Sequence, residues 1–442
     1  MRALLRNRVY RRLFVAQVVA LVGTGLATVA IGLLAYDLAG PRAGEVLGTA
    51  LTIKMVAYVC VSPLVGAYAD RVPRRVLMVG ADLVRVAVVL MLPLVDAAWQ
   101  VYALIAVLQA ASATFTPTFQ SVLPDILPDE GDYTTALSAS QVASSLENIV
   151  SPLLAAALLL VVEFSSLFLG TALGFVASAL LVVGARVPAA RRSERVRLGD
   201  RVSAGLRVFA ATPRLRAVLA LDMVVAASGA ITIVSTVNVV RDLLGAAEAR
   251  VPLLLAVSGA GTVAAAFCAP LLLRWGTERR VLLLGALTTT VAVAGAVTMS
   301  RFPSWPAAVG VWALIGFGGG LVMLPIGRVV RSSASEEDRP AVFAAQFSLS
   351  HACWLVAYPL AGWVGAAAGF TVAWTVLSAL VIVAAVVAVR LWPTGLSPVV
   401  RHRHDAEPAH DHSAHPEWDG TSWVHTHHVV IDAHHRRWPQ PA

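Results

Sequence analysis

Lysine is nearly missing from this chain: Lys54 is the only one, and every other basic side chain apart from histidine is arginine. Charge of either sign is scarce. Asp, Glu, Lys and Arg make up 14% of the 442 residues, against roughly 25% in soluble domains. A soluble protein of this size needs a charged surface, so that class is excluded. Cysteine is scarce too. Cys60, Cys268 and Cys353 all fall in apolar segments, which leaves no disulfide framework and no Cys-type metal motif. No glycine-rich loop ends in Gly-Lys-Ser/Thr, so ATP-driven transport by this chain is excluded. Before residue 402 the only histidine is His351. No cleavable signal is evident either. Arg2, Arg6, Arg8, Arg11 and Arg12 lead into an apolar run longer than a signal-peptide core, which reads as a retained first helix.

What the chain has is hydrophobic length. It is 58% hydrophobic, with a mean hydropathy of +0.75. A spanning helix needs about 20 mainly apolar residues. Twelve segments qualify: 13–37, 46–69, 76–95, 99–123, 137–161, 165–187, 215–240, 251–273, 281–300, 305–327, 341–366 and 368–391. With both termini inside, the cytoplasmic segments hold 28 basic residues, and the opposite face holds only Arg42, Arg241, Arg250 and Arg301. That asymmetry orients the chain. It also explains the net charge of +8 without nucleic acid, because the arginines gather in membrane-side loops.

The expected fold is an all-α membrane protein of twelve transmembrane helices in two six-helix pseudo-symmetric bundles. Residues 1–187 form the first bundle, 188–214 a cytoplasmic linker, 215–391 the second bundle, and 392–442 a polar tail expected to be disordered. The halves repeat weakly: Asp129-Glu130 recurs as Glu336-Glu337, and Pro152 as Pro359, both 207 residues later.

The loop between the second and third segments reads Gly66-Ala-Tyr-Ala-Asp70-Arg71-Val-Pro-Arg74-Arg75. It resembles the loop motif of the major facilitator superfamily, with Pro73 where that family usually has glycine. Leu123-Pro-Asp125-Ile-Leu-Pro-Asp-Glu130, after the fourth segment, is typical of the twelve-helix drug:proton antiporter branch that contains macrolide and siderophore exporters. The resemblance covers about 1–391. It implies alternating access of two rocking halves, with Gly66, Asp70, Arg71, Arg74, Arg75 and Asp125 forming an inner gate. Asp70 would meet the helix start near Ala341, and Arg74 would pair with Asp125. The arginine that many superfamily members carry in the fourth helix is absent around Gln109.

Ionisable groups inside spanning helices are expensive and are functional candidates by default. The fifth segment carries Ser140, Ser144, Glu147 and Ser151 on one stripe, flanked by Gln141 and Asn148. Such a stripe belongs against a water-filled cavity, where Glu147 would carry a proton; the alternative is an inter-helix hydrogen bond. Asp222 is a second proton candidate, or a cytoplasmic-end charge paired with an arginine. Lys54 snorkels, pairs with a carboxylate such as Glu147, or lines the pore. Asp82 and Arg85, three apart, read as a local ion pair. His351, with Trp354 and Tyr358 on its face, is a proton carrier, a metal ligand or a packing histidine.

Ten of the 11 histidines lie in the tail: His402, His404, His410, His412, His415, His425, His427, His428, His434 and His435. Closely spaced imidazoles bind nickel, cobalt, copper or zinc. A histidine-rich cytoplasmic tail on this fold resembles the bacterial nickel-resistance exporters. The leading expectation is therefore a non-enzymatic, proton-coupled exporter of nickel or cobalt in the plasma (inner) membrane. It would be multi-pass and monomeric, with both termini cytoplasmic, and without a cofactor unless Ni, Co or Zn occupies the tail. Two alternatives stand beside it. One is an exporter of amphipathic organic compounds, which requires an aromatic cavity; the other is a non-transporting metal sensor.

Overall fold

The computed structural model describes residues 6–68, 72–127, 129, 132, 136, 139–140, 143, 150–151, 154–155, 157–188, 198–334, 339–392, 399–404, 417–418 and 423–428. The first half contains α1 (Arg8–Ala39), α2 (Ala43–Tyr68), α3 (Arg74–Met91), α4 (Ala98–Ile126) and α5 (Ser166–Gly184). The second contains α7 (Pro213–Asn238), α8 (Arg250–Trp275), α9 (Glu278–Arg301), α10 (Trp305–Ser332), α11 (Arg339–Pro359) and α12 (Phe370–Leu391). The linker is not featureless: Leu198–Ala211 forms a helix, α6. A π-turn at Val239–Leu243 extends α7, and another at Leu360–Val364 extends α11.

Among the described residues ten runs are long and apolar enough to cross a membrane, and the first of them, Arg8–Val61, runs through both α1 and α2. The expected segment 137–161 lies mostly outside the described residues. The chain is a multi-pass membrane protein whose candidate spans are all helical. Large apolar side chains face outward, among them Leu94, Leu173, Phe267 and Leu287, as a surface solvated by lipid requires.

Local chemistry sets the helix ends. The Asn7 side chain caps α1 by accepting from the Val9 and Tyr10 amides at 3.0 and 3.2 Å, and its amide donates to the Ile126 carbonyl at 3.0 Å. One residue thereby starts α1 and ties it to the end of α4. Gly40 turns the chain into α2 at φ +54°.

Within the first half α1 packs on α5, α2 on α4, and α3 on both α4 and α5. Within the second, α8 and α9 pack on α10, while α12 packs on α7 and α9. In the second half the fully buried Trp312 and Trp374 meet edge to face at 6.5 Å. Their indole N–H groups donate to Thr236 Oγ1 at 2.9 Å and Ser235 Oγ at 3.3 Å. α8 and α10 approach so closely that a Cβ on Gly316 would collide with the Ser258 carbonyl, the small-residue packing that membrane helices favour.

Within 392–442 the described residues form β1 (Val399–His404), β2 (Glu417–Trp418) and β3 (Trp423–His428), an antiparallel sheet in the order β1-β3-β2. Val399, Val400, Trp423, Val424 and Thr426 are the β-branched and aromatic residues that pleated ladders accept.

Candidate functional site

At one end of the first half, arginines tie the helices together. Arg74, at the first position of α3, forms an ion pair with Asp125 in the last turn of α4. Arg74 is 8% exposed, so the pair is well shielded from water. Arg75 donates to the Val183 carbonyl and Arg12 to the Gly184 carbonyl. These two cations satisfy the carbonyls left open at the end of α5 and oppose its dipole. Gly66 lies within α2; Asp70 and Arg71 fall outside the described residues. α6 packs against the start of α11, and a Cβ on Gly205 would collide with the Ala341 carbonyl.

Deeper in the same half, Arg85 pairs with Asp82, which also accepts from Ser178 Oγ at 2.8 Å. The guanidinium lies over two rings, 4.7 Å from Phe115 and 4.4 Å from Phe175. Charge pairing and cation–π contact together compensate two buried charges. The sequence suggested the ion pair, but not the rings or Ser178.

The seam between the halves is where α2 faces α11. Lys54 and Tyr58 come from α2; Phe347, His351, Trp354 and Tyr358 come from α11. His351 stacks on Tyr58 with centroids 5.8 Å apart and on Phe347 at 4.0 Å. Its Nδ1 lies 2.7 Å from the Phe347 carbonyl, and Lys54 is within electrostatic reach. Trp354 packs on Tyr358 at 5.1 Å and lies against Gly229 of α7, where a Cβ would collide with the indole. Asp222, 7% exposed on α7, accepts from Gln346 Nε2 of α11 at 2.7 Å. Gln346 Oε1 is buried with no donor. Glu147, Gln141, Ser144 and Asn148 lie outside the described residues.

Among the described residues, the hydrogen bonds joining the two halves cluster around the α1–α2 turn. Tyr36 donates to Asp242 at 2.5 Å, Asn238 donates to the Pro41 carbonyl at 3.1 Å, and Trp363 Nε1 donates to Thr49 Oγ1 at 2.9 Å. Arg241 lies 5.0 Å over the Tyr36 ring and 3.6 Å from Glu248. Burial, with Asp37 adding to it and Arg241 opposing it, raises the Glu248 carboxyl above its ordinary value. The backbones of α2 and α11 touch here: a Cβ on Gly362 would lie 2.5 Å from the Gly44 carbonyl oxygen and 3.1 Å from the Gly48 Cα. This latch was not anticipated. Its signals are the Gly44-x-x-x-Gly48 spacing and the Asn238/Asp242 pair one helical turn apart.

In the tail, His402 pairs across the ladder with His425, Val400 with His427, and His404 with Trp423. The remaining strand histidine is His428. His410, His412, His415, His434 and His435 lie outside the described residues.

Comparison with known proteins follows from this geometry. The family model described as Major Facilitator Superfamily matches residues 13–277 and 219–432. Macrolide efflux protein A of Streptococcus pyogenes is 28% identical over 181 residues, covering 40% of this chain and 44% of that protein. The Enterococcus faecalis protein of the same name is 30% identical over 152 residues, covering 32% and 47%. The matches thus span somewhat less than half the length of these relatives. Among solved structures, the nucleoside transporter NupG superposes with a TM-score of 0.69 at 14% identity, over 87% of this chain and 100% of that one. A bacterial homologue of the human lysosomal transporter Spinster gives 0.64 at 12% identity, over 88% and 99%. At such identities the likeness establishes the fold.

Proposed function

We propose, from the premise that this chain belongs to the Major Facilitator Superfamily, that it is a proton-coupled exporter of amphipathic organic compounds in the plasma membrane. The chain is a transporter and not an enzyme; its cargo, coupling and direction are the proposal. The observation that carries the reading is the seam, where Tyr58, Phe347, His351, Trp354 and Tyr358 concentrate aromatic surface between the halves. Flat rings bind apolar and cationic organic molecules through area and π contact. A transition metal would want several carboxylates, imidazoles or thiolates together. The macrolide efflux relatives support the same reading.

The working cycle is alternating access of two six-helix bundles, twelve spans in all, with both termini cytoplasmic. In the described state the extracellular end is latched by Tyr36–Asp242, Asn238–Pro41 and Gly362 against Gly44 and Gly48. The loop motif with Arg74–Asp125 would close the other end in the opposite state.

Asp222 and Gln346 provide a chemically complete proton switch. Ionised, Asp222 accepts from the Gln346 amide. Protonated, it gains an O–H that can serve the unpartnered Gln346 Oε1. Proton binding would thus change how α7 and α11 hold each other. Glu147 remains a second coupling candidate on the fifth segment.

The test is expression in a host stripped of its own drug pumps, measuring resistance to lipophilic macrolides and retention of a fluorescent amphipath. Resistance that rises with the wild-type chain and falls with Phe347→Ala or Trp354→Ala is expected. Unchanged drug sensitivity beside raised nickel tolerance would overturn the reading.

One observation favours a second reading, export of nickel or cobalt fed by the tail. It is the β1–β3 register, which brings the strands carrying His402, His404, His425 and His427 side by side. Removing 393–442 would then lower metal tolerance while leaving drug tolerance unchanged.

A further inference from the structure

Away from the seam, α9 and α12 pack side by side and leave a lipid-facing groove of about 340 Å³ between them. Its walls are apolar, including Leu283 and Leu287 of α9 and Ile382, Val386 and Val389 of α12, and it ends at Arg390. The stripe that lines it on α9 continues one turn towards the cytoplasm into Arg279 and Arg280, which precede Leu283 by four and three residues. In the twelve-span topology α9 starts and α12 ends at the cytoplasmic face. All three arginines therefore stand at one end of the groove.

Among the described residues, none of them forms an ion pair or a side-chain hydrogen bond. The nearby acid, Glu278, is turned to Arg328 at 3.3 Å. Arg279 Nε is buried without a partner, and Arg280 and Arg390 are exposed and form no ion pair among the described residues. An apolar slot in hydrocarbon fills with an acyl chain, because water there would lose its hydrogen bonds. Three free guanidiniums at the headgroup level call for a phosphate, which Arg binds through a fork of donors. Basic pockets between helices on the cytoplasmic side are where anionic headgroups are held.

We infer that this groove is a binding site for an anionic phospholipid of the cytoplasmic leaflet, its acyl chain between α9 and α12 and its phosphate on Arg279, Arg280 and Arg390. The lipid would bridge two helices of the second half on the side away from the substrate path.

The experiment uses the full-length protein in nanodiscs doped with phosphatidylglycerol carrying a diazirine on its acyl chain. After photolysis, the labelled peptides are mapped. Labelling should concentrate in 283–290 and 382–390, and unlabelled phosphatidylglycerol should compete better than phosphatidylcholine. Each arginine changed to Gln should weaken labelling about fivefold, and each changed to Lys should largely retain it. Ala385→Phe, which fills the slot, should reduce labelling with the arginines intact, so the claim stands or falls even if a charge variant misfolds. Labels spread evenly over the lipid-facing helices, equal competition by phosphatidylcholine, or undiminished labelling of well-folded Arg279→Gln/Arg280→Gln/Arg390→Gln would each overturn the assignment.

Discussion

A side chain at Gly362 should push the transporter towards its outward-open state. In the described conformation the α2 and α11 backbones meet at Gly44, Gly48 and Gly362. A Cβ on Gly362 would sit 2.5 Å from the Gly44 carbonyl oxygen, where ordinary contact begins at 3.4 Å. Valine places still more volume there, so α2 must retreat by about 1 Å or more. Overpacking of this kind costs about 1–3 kcal/mol, and the cost applies only while the extracellular end is closed. The inward-to-outward ratio should therefore shift by about 5–150-fold towards outward. Nitroxides at Arg42 and Ala247, on the two sides of the extracellular end, report the ratio by pulsed electron resonance in a cysteine-free background. Gly362→Val should enlarge the long-distance population, whereas Gly80→Val, where a Cβ meets nothing within 4 Å, should leave it unchanged. Identical distance distributions for wild type and Gly362→Val would refute the claim that this contact holds the outside closed.

Three further outcomes are expected. Asp222→Asn keeps a partner for Gln346 but cannot exchange a proton, so it should bind substrate with near wild-type affinity yet lose pH-driven export; full coupling in that variant removes Asp222 from the proton path. Arg74→Gln strands Asp125 in a mostly shielded site and should destabilise the first half by about 1–3 kcal/mol, read as a lower Tm in detergent; adding Asp125→Asn should recover much of the loss. Trp312→Phe deletes the indole donor to Thr236 and should cost about 1 kcal/mol, with no change in substrate preference.

Much of the fold was legible because a bilayer allows few solutions. Apolar length marks the helices, and that needs no knowledge of packing. The Arg74–Asp125 contact was reachable through a resemblance, since it rests on a local motif. The aromatic seam was half visible. Phe347, His351, Trp354 and Tyr358 lie along one helix, but Tyr58 joins them only once α2 and α11 are brought together. The latch between the halves was hidden for the same reason: Tyr36 and Asp242 are 206 residues apart, and their pairing depends on how two halves meet. In the tail, Val399-Val400 and Trp423-Val424 carry the strand preference that the β1–β3 ladder uses, a local signal that bulk composition does not display.

The account turns on cargo and coupling, and one reconstitution tests both. The purified chain in proteoliposomes, given an imposed pH gradient, should move a labelled macrolide against its concentration, lose that transport when an uncoupler collapses the gradient, and be inhibited by other amphipathic cations. Macrolide flux that ignores the gradient, or proton-driven flux of Ni²⁺ with none of macrolide, would contradict it.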